Sequence, residues 1–430
     1  MKKYENYKDS GLEWLGMVPE HWKIDKLKYQ FGLVTTPSES SNKIGLENIE
    51  SATGRFIKTD SDFEGNGIAF LPNDIVYGKL RPYLQKVWLA EFSGSAVGDF
   101  YVFRCNKGTY PVYVKYLLLS HNFTVEADGF TYGAKMPRVS YEFVANLKWA
   151  MPPLIEQRAI ASYLDHKVGQ IDALISEKEK MVEDLKAYRS SLITETVTKG
   201  LNKEVEMKDS GLEWLGMVPK HWEIVPLKYL LSEPLQYGAN ESADNCNPLE
   251  PRYIRITDIT EGGKLRKSTY RTLPYQKAEG YMLKKGDILF ARSGATVGKT
   301  FIFEEDYDAC FAGYLIKASC NERLLPMFLY YFTSSNSYEN WKNSIFNQAT
   351  IQNIGADKYC ALPITTPSSE EQKRIISFLS PKVNQIDTSI SEIEHQLSDL
   401  KSYKSSLITE AVTGKIDLRD WQTKNHNALW

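Results

Sequence analysis

Residues 8 to 24, KDSGLEWLGMVPEHWKI, return at 208 to 224 as KDSGLEWLGMVPKHWEI, with only Glu20 against Lys220 and Lys23 against Glu223 differing. A second repeat sets EQRAIASYLDHKVGQIDALISEKEKMVEDLKAYRSSLITETVT, from Glu156, over EQKRIISFLSPKVNQIDTSISEIEHQLSDLKSYKSSLITEAVT, from Glu371, at an offset of 215 rather than 200. The chain is therefore duplicated, and any fold must accommodate the same apolar pattern twice. Between the repeats the halves have diverged, and the second copy is 15 residues longer.

Faint correspondence survives in the diverged part. At an offset of 213, NDIVYGKLRPYLQKVW from Asn73 lies over GDILFARSGATVGKTF from Gly286, matching Asp74 with Asp287, Lys79 with Arg292 and Lys86 with Lys299. At 215, Gly98, Cys105 and Pro111 match Gly313, Cys320 and Pro326. Each half thus predicts a mixed domain: strands at DIVYG and DILFA, strands at FYVFRC and YLIKASC, then an amphipathic helix beginning near Pro111 or Pro326.

The segment after each domain is helical. Ser368 and Glu371 form an S-x-x-E capping signal, and Pro152 and Pro153 stand where the first helix would begin. Pro381 after Ser380 predicts a break there, and by repetition a kink near Asp165. Beyond it, apolar residues at alternating steps of three and four form a coiled-coil seam. In the first copy they are Leu164, Val168, Ile171, Ile175, Val182, Leu185 and Leu192, interrupted by Lys178 and Arg189; in the second, Leu379, Val383, Ile386, Ile390, Ile393, Leu397, Leu400 and Leu407. Each helix offers the other an antiparallel partner, with pseudo-two-fold character. A helix over residues 166 to 198 spans about 50 Å at 1.5 Å per residue. Two non-identical domains held at a fixed separation suit a split, asymmetric DNA sequence, whose half-sites recur on one face every ~34 Å. The expected class is α+β: two mixed domains joined and separated by two long antiparallel coiled-coil helices. The boundaries are 1–154, 155–199, 200–367 and 368–430.

Composition narrows the classes further. A chain of 430 residues, 42% apolar, can bury sizeable cores, and the net charge of −2 excludes a simple DNA coater. It has no run of 18 apolar residues and no apolar core in MKKYENYKDSGLEW, so a cytosolic location is expected. Cys105, Cys246, Cys310, Cys320 and Cys360 form no C-x-x-C pair and read as reduced thiols, mostly in strands. His21 and His221 lack neighbours at metal spacing and read as surface or capping residues. Trp14, Trp22, Trp214 and Trp222 read as core or helix-docking residues, since identical copies cannot discriminate different half-sites.

The stretch ARSGATVGKT, residues 291 to 300, imitates the end of a phosphate loop. That motif needs glycine at position 293, which is Ser293, and a helix after Thr300, where a strand, an acidic turn and another strand are expected. Nucleotide binding is therefore rejected. The only Pro-Pro, in MPPLIE, starts a helix and is no (N/D)-P-P-(Y/F) methyltransferase segment. No glycine-rich cofactor turn, helicase set or nuclease set is present. Catalysis is not implied, and the carboxylates Glu177, Glu179, Glu183 and Asp184 read as an exposed helix face.

Taken together, DSGLEWLGMVPEHW, PPLIEQRAIASYL, SSLITE and the terminal VTGKIDLRDW make the chain resemble the specificity subunit of a Type I restriction-modification system, over nearly its whole length. The resemblance implies a non-catalytic subunit with two target recognition domains, about residues 25–151 and 225–366. Each would read one half of a bipartite site in double-stranded DNA. It also implies helical regions that bind two methyltransferase subunits, and restriction subunits in the full complex. S-adenosylmethionine, ATP and Mg would be used by those partners, with no cofactor or metal bound by this chain. A duplicated protein-binding scaffold, or a DNA methyltransferase in its own right, are the alternatives.

On this reading the loops at 78 to 86 and 291 to 299 approach DNA, with a basic residue at each end. Arg292 is suited to fork onto guanine O6 and N7, Lys299 to contact phosphate, and Ser293 and Thr296 to do either. Lys79, Arg81 and Lys86 are the counterparts, with Tyr83 against sugar or a thymine methyl. The run KLRKSTYR adds Lys264, Arg266, Lys267 and Arg271.

Overall fold

The apolar, β-rich runs pair as strands because their alternate faces meet two different cores. The computed structural model describes residues 2–260, 263–346 and 353–421, without the side chain of Ala295. In the first copy β1 (Phe31–Val34), β2 (Ile75–Gly78), β3 (Val87–Leu89) and β4 (Phe100–Cys105) form an antiparallel sheet in the order β1-β4-β2-β3. Pro111 opens α1 (Pro111–Leu119), whose missing N–H costs nothing at a helix start. The amphipathic pattern expected of α1 is not realised. Tyr113, Val114 and Tyr116 to Leu119 are all buried, because the helix is enclosed rather than laid on a surface.

After the sheet comes α2 (Leu154–Lys199), and the second copy then repeats the plan. Strands β5 (Gln236–Tyr237), β6 (Ile288–Ala291), β7 (Thr300–Ile302) and β8 (Leu315–Ala318) order as β5-β8-β6-β7. Helices α3 (Pro326–Phe332) and α4 (Ser369–Val412) follow. The registers coincide: Val76 faces Val102 and Trp88, and Leu289 faces Lys317 and Phe301. Each copy also holds a parallel strand pair, Lys43–Ile44 on Ser95 and Ala96 in the first and Arg252–Ile254 on Ala309–Phe311 in the second. The chain divides into two compact units, Met1–Glu179 with His395–Trp430, and Lys180–Glu394.

In each unit the two kinds of repeat meet. Lys23–Lys26 pairs with Lys148–Met151, and Glu223–Pro226 with Pro363–Thr366. Trp22 and Trp222 are fully buried, and their indole N–H groups donate to Glu156 (3.1 Å) and Glu371 (3.0 Å) in the first turns of α2 and α4. His21 and His221 reach the same carboxylates at 2.6 and 3.1 Å. The Ser368 hydroxyl does accept from the Glu371 N–H, but the Glu371 carboxylate turns to the Trp and His side chains rather than completing the capping box. Trp14 packs on Trp149 at 5.0 Å between centroids.

The expected break near Asp165 and at Pro381 is absent: α2 runs unbroken for 46 residues, and α4 runs for 44 with Pro381 inside. Proline removes one helical hydrogen bond, but Leu379 and Val383 on either side are buried and hold the helix to the core. The Ser380 hydroxyl is drawn away from capping, accepting from the Tyr331 hydroxyl at 3.0 Å. Asp165, its counterpart, accepts from Tyr116 at 2.7 Å.

Along the helices, Leu164, Val168, Ile171, Val182, Leu379, Val383, Ile386, Ile390, Leu397 and Leu407 are buried. Ile175, Leu185, Leu192, Ile393 and Leu400 are half-buried. Within each unit the segments of α2 and α4 run antiparallel, fixed by the same two bridges with the helices exchanged. In the first unit Lys404 meets Asp172 at 2.7 Å and Lys401 meets Glu179 at 2.9 Å. In the second, 215 residues apart in each case, Arg189 meets Asp387 at 2.7 Å and Lys186 meets Glu394 at 3.2 Å.

These bridges differ in depth. Lys404 and Asp172 are 9% and 10% exposed, against 20% and 33% for Arg189 and Asp387. Removing one partner of a buried pair strands a charge, so Lys404→Ala is expected to destabilise by about 3–5 kcal/mol, softened by the second contact of Asp172 with Arg55. Arg189→Ala is expected to cost about 1 kcal/mol or less. Urea denaturation of the two variants checks the order.

Candidate nucleic-acid interface

The mimic of a phosphate loop has a local explanation. After β6 the chain makes a single 3-10 turn, Gly294–Thr296, and enters β7, with no helix following. Gly294 and Gly298 take φ of +77° and +81°, the left-handed region that glycine enters without steric penalty. In the first unit the corresponding corners are Arg81 and Gln85, both at φ +50°, on either side of the turn Pro82–Leu84. The glycines of GATVGK are thus the corners of a strand-to-strand loop. Arg81 and Gln85 accept a conformation that costs a non-glycine residue roughly 1–3 kcal/mol.

One backbone frame carries the basic residue in both units. The Lys79 N–H donates to the Asp99 carbonyl (2.9 Å), and the Val139 N–H to the Lys79 carbonyl (3.1 Å). The Arg292 N–H donates to the Tyr314 carbonyl (3.1 Å), and the Ile354 N–H to the Arg292 carbonyl (2.9 Å). The bridges Leu80 to Arg138 and Ser293 to Asn353 complete the match. Three positions therefore converge: Lys79, Asp99 and Arg138 in one unit, Arg292, Tyr314 and Asn353 in the other.

Their chemistry differs. Asp99 accepts two hydrogen bonds from Arg138, at 2.9 and 2.8 Å, and lies 3.9 Å from Lys79. The Arg138 guanidinium holds the Asp99 carboxyl below its ordinary range. Lys79 also lies over the Tyr101 ring, 5.2 Å from its centroid. Arg292 instead lies close to two tyrosine rings, 5.1 Å from the centroid of Tyr237 and 5.7 Å from that of Tyr314, and its buried Nε has no hydrogen-bond partner among the described residues. Tyr237 and Tyr314 are themselves exposed.

The remaining sequence candidates separate into groups. Arg81 and Tyr83 are exposed beside Lys79. Lys86 is not: its ammonium is turned inward, donating to the carbonyls of Leu46 (2.8 Å) and Ile49 (2.6 Å), and burial lowers its pKa. It staples a turn, where the sequence suggested a surface cation. Ser293, Thr296 and Lys299 are half-buried in the second loop. Lys264, Arg266 and Lys267 are exposed on a different loop, carried by the parallel strand pair, while Arg271 folds back to donate to the Tyr270 carbonyl at 2.8 Å. Asp99, Arg138, Tyr237, Tyr314 and Asn353 were missed by motif reading. Extending the 215-residue offset would have placed Asp99 over Tyr314 and Arg138 over Asn353.

The matched acids Asp74 and Asp287 prove structural: each is buried and accepts from a backbone N–H three residues earlier, at Leu71 and Lys284. Burial pushes the thiols of Cys105, Cys310 and Cys320 up to about 12, which keeps them protonated. Cys246 lies exposed in a loop, and Cys360 closes a short helix rather than sitting in a strand. No group of side chains able to hold a metal occurs among the described residues, and none of their helices is long and apolar enough to cross a membrane.

Residues 219–398 match the family described as Type I restriction modification DNA specificity domain. The chain is 25% identical over 291 residues to the Type I restriction enzyme EcoBI specificity subunit of Escherichia coli, a stretch covering 65% of this chain and 60% of that one. It is 21% identical over 413 residues to the EcoKI specificity subunit of Escherichia coli strain K12, covering 90% and 84%. Among solved structures, a chain described for complex assembly and conformational transition of the type I R-M system superposes with a TM-score of 0.69 at 17% identity, over 93% of this chain and 99% of that one. The duplicated framework, the doubled sheet and the matched specificity domain agree in likening the chain to the Type I restriction-modification specificity subunits.

Proposed function

We propose that this chain is the DNA-reading subunit of a Type I restriction-modification complex, each unit reading one half of a bipartite, asymmetric site. The observation that carries this is the pair of matched loops: one backbone frame holds different side chains at corresponding positions, as two readers of different half-sites require. Cations at the ends of β2 and β6, Arg81 exposed and Lys79 and Arg292 half-buried, stand with the exposed tyrosines Tyr83, Tyr237 and Tyr314 and suit contact with phosphate, sugar and base edges. The recognition domains are residues 1–154 and 200–367, and the helical regions 155–199 and 368–430.

The helices set the distance between the half-sites and offer their outer faces to two methyltransferase subunits. Supporting this, Tyr188 and Tyr403 are repeated 215 residues apart and both exposed, 56% and 51%. A duplicated, solvent-facing aromatic suits two copies of one partner. Methyl transfer, ATP hydrolysis and cleavage belong to the partner subunits, restriction subunits included, with their S-adenosylmethionine, ATP and Mg.

Exchanging residues 225–366 for those of a relative is expected to alter one half of the methylated sequence and leave the other intact, as mapped by sequencing methylated adenines; changes in both halves would contradict independent readers. Arg81→Ala is expected to weaken DNA binding by the complex and to lower the salt slope by about 1, with stability changed by less than about 0.5 kcal/mol. Lys86→Met is expected to cost about 1–3 kcal/mol of stability by leaving two carbonyls unpaired. Binding isotherms at several salt concentrations, beside thermal melts, separate the two roles.

The spacing role has its own test. Inserting four residues after Lys178, about one helical turn, adds roughly 6 Å, and DNA rises about 3.4 Å per base pair. The unread gap is expected to lengthen by one or two base pairs with both half-sites unchanged. An unchanged gap in a variant with a demonstrably longer helix would make the helices a partner platform only.

A further inference from the structure

We infer that base selection in each unit is set by three backbone-matched positions, 79, 99 and 138 in the first and 292, 314 and 353 in the second, and that Arg292, held beside Tyr237 and Tyr314, reads a guanine in its half-site. This rests on the DNA-reading function proposed above and goes beyond it by naming the discriminating residues and how they are positioned.

The physical argument begins with Arg292. A guanidinium discriminates a guanine edge only if its plane is fixed, because the two hydrogen bonds to O6 and N7 form together. Arginine normally loses that geometry to side-chain freedom. Here two ring centroids, of Tyr237 and Tyr314, lie 5.1 and 5.7 Å from its guanidinium carbon, contacts that favour the cation and limit the side chain's freedom. Its Nε is buried without a partner among the described residues.

The first unit solves the same problem by charge. Asp99, in the place of Tyr314, fixes Arg138 through a two-pronged contact and draws in Lys79. Asp99 is a positioning residue for two cations, as Tyr314 is for one. Position 353, opposite Arg138, is Asn353, whose amide can both donate and accept. The two sets present different donor patterns from one scaffold, so the first set is expected to select a different base.

The test uses the full chain in complex with its methyltransferase subunits, read out by mapping methylated adenines genome-wide. The wild-type map comes first: absence of a bipartite site there would sink the functional reading, whatever the variants do. Given such a site, Arg292→Gln and Arg292→Lys are expected to relax one guanine position in the half-site of the second unit, lowering discrimination there about tenfold or more, with the other half unchanged. Lysine keeps the charge and loses the fork, which keeps the test valid if the glutamine variant assembles poorly. Tyr314→Leu is expected to relax the same position, and Tyr314→Phe, which keeps the ring, to restore it. Asp99→Asn is expected to relax the first half-site only. Uniformly weaker methylation of an unchanged motif in both Arg292 variants would reduce the residue to a phosphate contact and overturn the inference. So would a relaxed position in the Arg292 variants that is not a guanine.

Discussion

The contact on which each unit depends is a carboxylate buried at the start of a long helix. Glu156 is 7% exposed, and it accepts from Tyr4, Trp22 and His21 together. A carboxylate is withdrawn from water only where hydrogen bonds replace the lost hydration, and the first turn of a helix adds favourable partial charge. The pairing therefore admits one geometry: the tryptophan of the N-terminal repeat must sit against the glutamate of the helical repeat. Truncating such an indole costs about 3–5 kcal/mol. In the second unit Glu371, Trp222 and His221 make the same arrangement. Here the two repeats, which the sequence holds at different offsets, become one structural element.

With the framework fixed, the variable part is confined to loops. The sheets keep their order and register, and the buried Asp74 and Asp287 hold the turns that enter β2 and β6. Change is tolerated beyond the strand ends, where side chains leave the core. The two loops even reach the same backbone path by different means, with glycines at the left-handed corners in one and Arg81 and Gln85 in the other.

The helices show the same economy. Corresponding ion pairs with donor and acceptor helices exchanged, Lys404 to Asp172 and Arg189 to Asp387, arise from one sequence used twice and paired antiparallel. Their unequal burial comes from the surroundings. Arg55 reaches Asp172 in the first unit, whereas the second pair stays more open to solvent.

By itself the sequence determined the duplication, the strand cores and the two long helices. These rest on periodicity and on residue types whose local geometry is nearly context-free. It misjudged Pro381, because tertiary burial of Leu379 and Val383 outweighs one missing hydrogen bond. Lys86 was misjudged because a cation in a hairpin looks the same whether it faces solvent or two carbonyls. Only the tertiary structure brought Asp99 and Arg138 to Lys79, and Tyr237 and Tyr314 to Arg292. Those residues lie on strands and loops far apart in the chain, and sheet pairing, which no local pattern encodes, decides which of them converge.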